Sequence, residues 1–147
     1  MPYTEIDSLF HGPNWTPSPT FLEDVDRATS GNRWVAEWQY RVARPLLAGR
    51  ADTLVWLDHR SSVAFGRVAR RTFRRALTHE VLWNGNVEPP LRTFFTQPDE
   101  NILRWAITSR SSYRSLVPAL ESTRPGLQIV RLRTQREVDY WLESLSF

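Results

Sequence analysis

The 147-residue sequence predicts an α/β fold built on a parallel sheet, and three observations carry that prediction. Leu54, Val55, Trp56 and Leu57 form a near-continuous apolar run, the pattern of a strand covered on both faces. Strand candidates end on a carboxylate at Asp7, Glu37 and Asp58, and open α/β sheets bind their ligands at that edge. Strand-like and helix-like runs alternate along the chain, the order that βαβ units produce.

In order, residues 3–6 read as a short strand closed by Asp7. Residues 9–19 are a loop dense in Pro and Gly that carries Phe10, His11 and Trp15. Ser18 before Pro19 predicts a helix start, with Ser as cap and Pro at the first helical position. That helix, over 19–29, should bury Phe21, Leu22 and Val25, and Gly31 and Asn32 end it. Residues 33–37 form the second strand. A short helix over 40–48 should stop at Gly49, a residue suited to the left-handed position after a helix. The apolar strand at 54–57 follows, and Ser61 or Ser62 can cap the next helix. Residues 78–98 look like a long lid-like excursion with a turn at Asn84 and Gly85 and a double proline. Asp99 should cap a helix to about residue 113, with Ile102, Leu103, Ala106 and Ile107 inward. Residues 127–132 are the last strand. Thr134 and Glu137 have the spacing of a capping box for a final helix burying Val138, Trp141, Leu142 and Leu145. The whole reads as a single domain, 1–147.

The helix after Asp58 is two-faced. At 100° per residue, Arg67, Arg70, Arg71, Arg74 and Arg75 fall within an arc of about 140°. Phe65, Val68, Ala69, Thr72, Phe73, Ala76 and Leu77 fill the opposite side. Guanidinium forks suit phosphate oxygens because they bond them bidentately and keep their charge. A solvated basic face is the plain alternative. Arg92, Arg104, Arg110 and Arg114 are candidate additions to the stripe.

Composition narrows the chemistry. Net charge is +3, and all 19 basic residues are arginine, so the chain has no lysine. The absence of cysteine excludes a disulfide framework and thiolate chemistry. His11, His59 and His79 stand at unrelated spacings, which gives no metal signature. No apolar run reaches the roughly 20 residues of a membrane span and no secretory signal is visible, so the expectation is a cytoplasmic protein with no membrane partner. The strand-end acids could hold Mg²⁺ through water or accept a proton from a hydroxyl.

Several motifs carry a resemblance across nearly the whole chain. They are WVAEWQY at 34–40, DTLVWLD at 52–58, RVARRTFRR at 67–75, LWNGNVEP at 82–89 and IVRLRT at 129–134. In this order, behind a strand with a terminal acid and a Trp-bearing loop, they resemble the adenylate-kinase-like P-loop kinases often labelled topology modulation proteins. The resemblance implies a doubly wound sheet of order 2-3-1-4-5, with ATP and Mg²⁺ as cofactors and a small-molecule phosphate acceptor. It puts Asp7 beside the acceptor, with His11 and Trp15 on the acceptor side. Glu37 falls at the Mg²⁺ end of the third strand and Asp58 at the end of the fourth. Arg67 and Arg71 match the arginines that contact nucleotide and act in catalysis, with Arg70 and Arg74 beside them. Arg133 and Thr134 fall where the chain cups adenine, and 78–98 takes the lid's place.

One departure outweighs the rest. Such kinases open with a central strand, a GxxxxGK[ST] loop and a helix, and none of these is present here. Met1 therefore reads as a late start, and the frame upstream of it is expected to encode the missing strand and loop. Without the lysine and its nest of backbone N–H groups, the chain as given is expected to be catalytically inactive. With strand one gone from between strands three and four, the chain is expected to be weakly stable or self-associating. A nucleic-acid-binding module is the competing class, and 16 acids against 19 arginines weigh against it; an interaction partner or pseudokinase completed by another chain is a third option.

Overall fold

A computed structural model describes residues 1–87 and 102–145, and side chains for 1–87 and 112–145. Asp99, Arg92 and the side chains of Ile102, Leu103, Arg104, Ala106, Ile107 and Arg110 lie outside the described residues. The described residues form six α-helices and two parallel two-stranded sheets, so the α/β class holds. They cluster into two compact units, residues 1–51 with 79–87, and residues 52–78 with 102–145.

In the first unit, β1 (Tyr3–Thr4) pairs in parallel with β2 (Val35–Ala36). Both strands are shorter than the sequence predicts. The chain turns into α1 (Ile6–Phe10) straight after β1, so Asp7 sits in the first turn of a helix and not at a strand tip. Helix α2 (Phe21–Ala28) sends Phe21 and Val25, one helical turn apart, into a core shared with Ile6, Ala43 and Leu47. Leu22, predicted inward, is exposed. Ser18 does not cap the helix: Thr20 holds the cap position, and its hydroxyl bonds Asp24 rather than a backbone N–H.

Helix α3 runs Arg44–Arg50, four residues later than predicted. Pro45 explains the shift: it has no N–H to give a preceding turn but fits the start of a helix, where none is needed. Gly49 consequently lies inside α3, with Ala51 as the residue that closes it. Arg50 ties the ends of α2 and α3 together, donating to Asp26 Oδ1 at 2.7 Å and Thr29 Oγ1 at 3.0 Å.

In the second unit, β3 (Thr53–Leu57) pairs in parallel with β4 (Gln128–Leu132) along five positions, from Thr53 opposite Gln128 to Leu57 opposite Leu132. Leu54, Leu127 and Leu132 are buried. The expectation of burial on both faces fails, because Leu57 is 57% exposed and Val55 is partly so. A two-stranded ladder offers one packed face here, and side chains alternate across it. Between the strands run α4 (Ser61–Thr78) and α5 (Ile102–Thr123). Helix α5 continues ten residues past the predicted stop and carries Pro118 within it. Helix α6 (Gln135–Ser144) has its predicted cap: Thr134 Oγ1 accepts the Glu137 N–H at 3.2 Å, and Glu137 Oε2 accepts the Arg133 N–H at 2.7 Å. Its apolar side is only half-buried at Val138, Trp141 and Leu145, and Leu142 is exposed.

The arginine helix departs from prediction in which face is covered. Thr72 is buried and Ala64, Val68, Ala69, Arg75 and Ala76 are half-buried, so the packed side is centred near Thr72. Arg67, Arg70, Arg71 and Arg74 are exposed, whereas Arg75, predicted with them, belongs to the covered side. Phe65, Phe73 and Leu77, predicted to pack on the sheet, are exposed.

Candidate functional site

The predicted residues fall into two groups, one in each unit. In the first unit, Asp7, His11 and Trp15 are brought together as the sequence suggests, through Tyr40. Tyr40 adopts a left-handed backbone, φ +56°, which costs a bulky residue about 1–3 kcal/mol. Its ring stacks on Phe10 at 4.1 Å, and its hydroxyl donates to Asp7 Oδ1 at 2.6 Å. Gln39 Nε2 donates to the same oxygen at 3.0 Å. Burial, then the bond to Asp7, drives the Tyr40 hydroxyl pKa above its ordinary range. Glu37 is engaged structurally: Oε2 accepts the Ile6 N–H at 2.8 Å and Oε1 accepts the Tyr3 hydroxyl.

These bonds fix the state of His11. Its Nε2 lies 3.1 Å from the Tyr40 oxygen. The single Tyr40 proton is committed to Asp7, so Nε2 must carry the proton of a neutral ring. That leaves Nδ1 as a lone pair, buried and without a hydrogen-bond partner. Burial accordingly lowers the His11 pKa below 6.5, against a weaker opposing pull from Asp7. A lowered folded value means that the unfolded chain binds the extra proton first. Stability of the first unit therefore falls as pH drops below about 6.5. Urea unfolding followed by tryptophan fluorescence at pH 7.5 and 5 should give the lower midpoint at pH 5, and His11→Asn should flatten that difference.

Two loops of one design hold this cluster. In residues 11–17 and 81–87 the ends are bridged, His11 to Pro17 and Val81 to Val87. Each encloses a 3₁₀ turn, Pro13–Trp15 or Trp83–Gly85, with a left-handed Asn at its fourth position, Asn14 at φ +55° and Asn84 at φ +56°. The loops clasp one another. Asn86 accepts the Trp15 N–H at 2.9 Å and donates to the carbonyls of Gly12 at 2.9 Å and Trp83 at 2.8 Å. The Trp15 indole donates to the Val87 carbonyl at 3.1 Å, and the Trp83 indole donates to Glu5 at 2.7 Å. His11 and the two indoles form a triangle of rings, with His11 edge-on to Trp15 at 5.0 Å and roughly parallel to Trp83 at 6.1 Å, and the indoles edge-on to each other at 6.3 Å. Residues 81–87, read from sequence as part of an excursion, are thus one half of the clasp.

In the second unit, Asp58 stands at the carboxyl end of β3 and is buried. Arg131, from the paired strand, donates Nε to Asp58 Oδ2 at 3.1 Å and also reaches it through Nη2. Arg114 lies 3.8 Å from Oδ1. The Arg131 guanidinium covers the Trp56 ring at 4.3 Å. Arg67 donates to the Gln135 side chain at 2.9 Å. Arg133 and Thr134 supply the cap of α6.

The predicted Mg²⁺ ligands do not fit that role as they stand. Both Glu37 oxygens accept protein donors, and guanidiniums occupy Asp58. Among the described residues no group of three or more His, Cys, Asp or Glu could hold a metal. Likewise, no described helix is long and apolar enough to cross a membrane. Sequence reasoning missed Gln39, Tyr40, Trp83, Asn84, Asn86 and Arg131. The available signal was the shared seven-residue spacing of the two loops, each centred on Asn and carrying a Trp. Comparison with protein-family models, characterised proteins and solved structures gives no match.

Proposed function

We propose that the chain is a phosphoryl-transfer scaffold of the P-loop nucleotide-kinase type that lacks its own phosphate cradle. The observation that carries this reading is strand pairing. β1 pairs with β2 and β3 with β4, all parallel, the two pairs that an order of 2-3-1-4-5 retains when its central strand is absent. In this reading a small acceptor sits near Asp7, His11 and Trp15. Arg67 and Arg71, exposed on α4, neutralise charge on the transferring phosphoryl group. With no lysine in the chain, the lysine that pairs with the β- and γ-phosphates has to come from outside these 147 residues. The chain alone is inactive, and no catalytic role is assigned to Mg²⁺ at Glu37 or Asp58.

The test fuses a strand, a glycine-rich phosphate loop and a helix in front of residue 1. In ATP hydrolysis by that fusion, Arg71→Ala should lower kcat/KM by about 10²-fold, while Arg75→Ala changes it by less than about fivefold once unfolding is corrected for. Equal losses at both positions would reduce the arginines to a general basic surface. Steeply salt-dependent binding of random-sequence DNA would favour the nucleic-acid class instead.

A further inference from the structure

We infer that two copies of the chain pair edge to edge through β3, antiparallel and about a two-fold axis at Val55. The hydrogen bonds of β3 show which edge is open. The Asp52 carbonyl accepts the Gln128 N–H at 2.8 Å, and the Asp58 N–H donates to the Leu132 carbonyl at 2.8 Å. Backbone groups alternate sides along a strand, so Leu54 and Trp56 also face β4, while Thr53, Val55 and Leu57 face away from it. Among the described residues nothing pairs the backbone N–H or C=O of those three. Their side chains share a face with Val130 and Leu132, and Val55 and Leu57 are 37% and 57% exposed. Open edges of natural sheets are usually guarded by charge, proline or a bulge. The neighbouring strand β4 carries Arg131, whereas Thr53–Leu57 carries no such guard.

This edge is complementary to itself. Under a two-fold axis normal to the sheet, two antiparallel β3 strands set donors opposite acceptors. Val55 then faces Val55 of the second copy, and Thr53 faces its Leu57. Thr53, Val55 and Leu57 of each copy all give and accept there, for about six main-chain hydrogen bonds. A slip of two residues would carry one of the three past the end of the other strand. Parallel pairing of the same edge sets N–H against N–H in register, and the offset that would cure this is not compatible with a two-fold axis. On one face Val55 meets Val55 and Leu57 meets Thr53, which removes apolar surface from water. At the ends Asp52 comes opposite Asp58 of the second copy, whose charge Arg131 and Arg114 already balance. No charge on the edge selects an unrelated strand over an identical one. The contact is isologous and closes as a dimer, and its small area makes that dimer weak. It needs only the open edge, whether or not the chain is a kinase scaffold.

The chain has no cysteine, so single introduced cysteines report the register. Facing residues of such a pair have Cα atoms about 5.5 Å apart, within the roughly 4.4–6.8 Å that a disulfide spans. Oxidation with copper–phenanthroline should link Val55→Cys to itself, whereas Thr53→Cys and Leu57→Cys should link only when mixed. Gln128→Cys, exposed on β4, should link at least tenfold more slowly than Val55→Cys. Sedimentation velocity of the wild-type chain up to about 1 mM should show a monomer–dimer equilibrium that added salt does not weaken. Val55→Lys and Val55→Glu should each weaken it at least tenfold, and their equimolar mixture should dimerise again. Misfolding of either variant would not produce that rescue. A wild-type monomer throughout, Val55→Cys linking no faster than Gln128→Cys, or a Lys and Glu mixture that stays monomeric would each overturn the inference. So would Thr53→Cys or Leu57→Cys linking alone as fast as Val55→Cys, or association that falls steeply with salt, which would assign it to the arginines instead.

Discussion

Asn86→Ala should destabilise the first unit by about 3 kcal/mol, a large share of the roughly 5–15 kcal/mol that holds a domain folded. Asn86 is 3% exposed, and its amide serves both loops of the clasp. Alanine strands the Trp15 N–H and the Gly12 carbonyl, and each stranded group costs about 1–3 kcal/mol, while the Trp83 carbonyl keeps the backbone N–H of residue 86 at 3.2 Å. Water reaches part of the site, which holds the total to the lower end of that range. Asn86→Asp should fare no better: it keeps an acceptor for Trp15 but loses both donors and buries a charge. Urea unfolding monitored by tryptophan fluorescence measures the effect, since Trp15 and Trp83 report on the clasp. A midpoint shift no larger than that of an exposed control such as Asn32→Ala would show that the clasp contributes little.

Asp58→Ala should cost the second unit about 2 kcal/mol. The carboxylate is 5% exposed, but Arg131 and Arg114 are 40% and 59% exposed. Removing the partner of a fully buried charge costs about 3–5 kcal/mol. Here solvent takes up part of the loss because both guanidiniums reach water. The strand geometry makes the pair specific: Asp58 follows β3 and Arg131 lies within β4, on neighbouring strands in register. Arg131→Met should lose less than Asp58→Ala, and the double variant should fall well short of the sum. Additivity within about 0.3 kcal/mol would mean that the two side chains do not act as a pair.

What could be read from the sequence followed periodicity and capping. The Leu54–Leu57 run marked β3, and Thr134 with Glu137 marked the start of α6 to the residue. The exposed stripe of α4 was legible for four of its five arginines. Its covered side was not, because periodicity says which residues share a face but not whether another layer lies over it. Pro45 is a usable signal for the start of α3, because proline fits the first turn of a helix and not its interior. The continuation of α5 through Pro118 had no local cue, since a proline inside a helix ordinarily ends or kinks it. His11 and Trp15 were legible as neighbours through the loop that carries both, whereas Asp7 joined them only through the family resemblance. Asn86 and Trp83 were not, because their role comes from pairing with a loop about 70 residues away in the chain. Hydrogen bonds of that span leave no trace in either loop alone; only the matched spacing of the two loops hints at them.

The central proposal, a nucleotide-kinase scaffold without its phosphate cradle, is tested most directly by calorimetric titration of Mg²⁺–ATP. The 147-residue chain should take up no nucleotide, and the fusion carrying a strand, glycine-rich loop and helix ahead of residue 1 should bind one equivalent. Saturable ATP binding by the 147-residue chain itself, or a well-folded fusion that binds none, would contradict it.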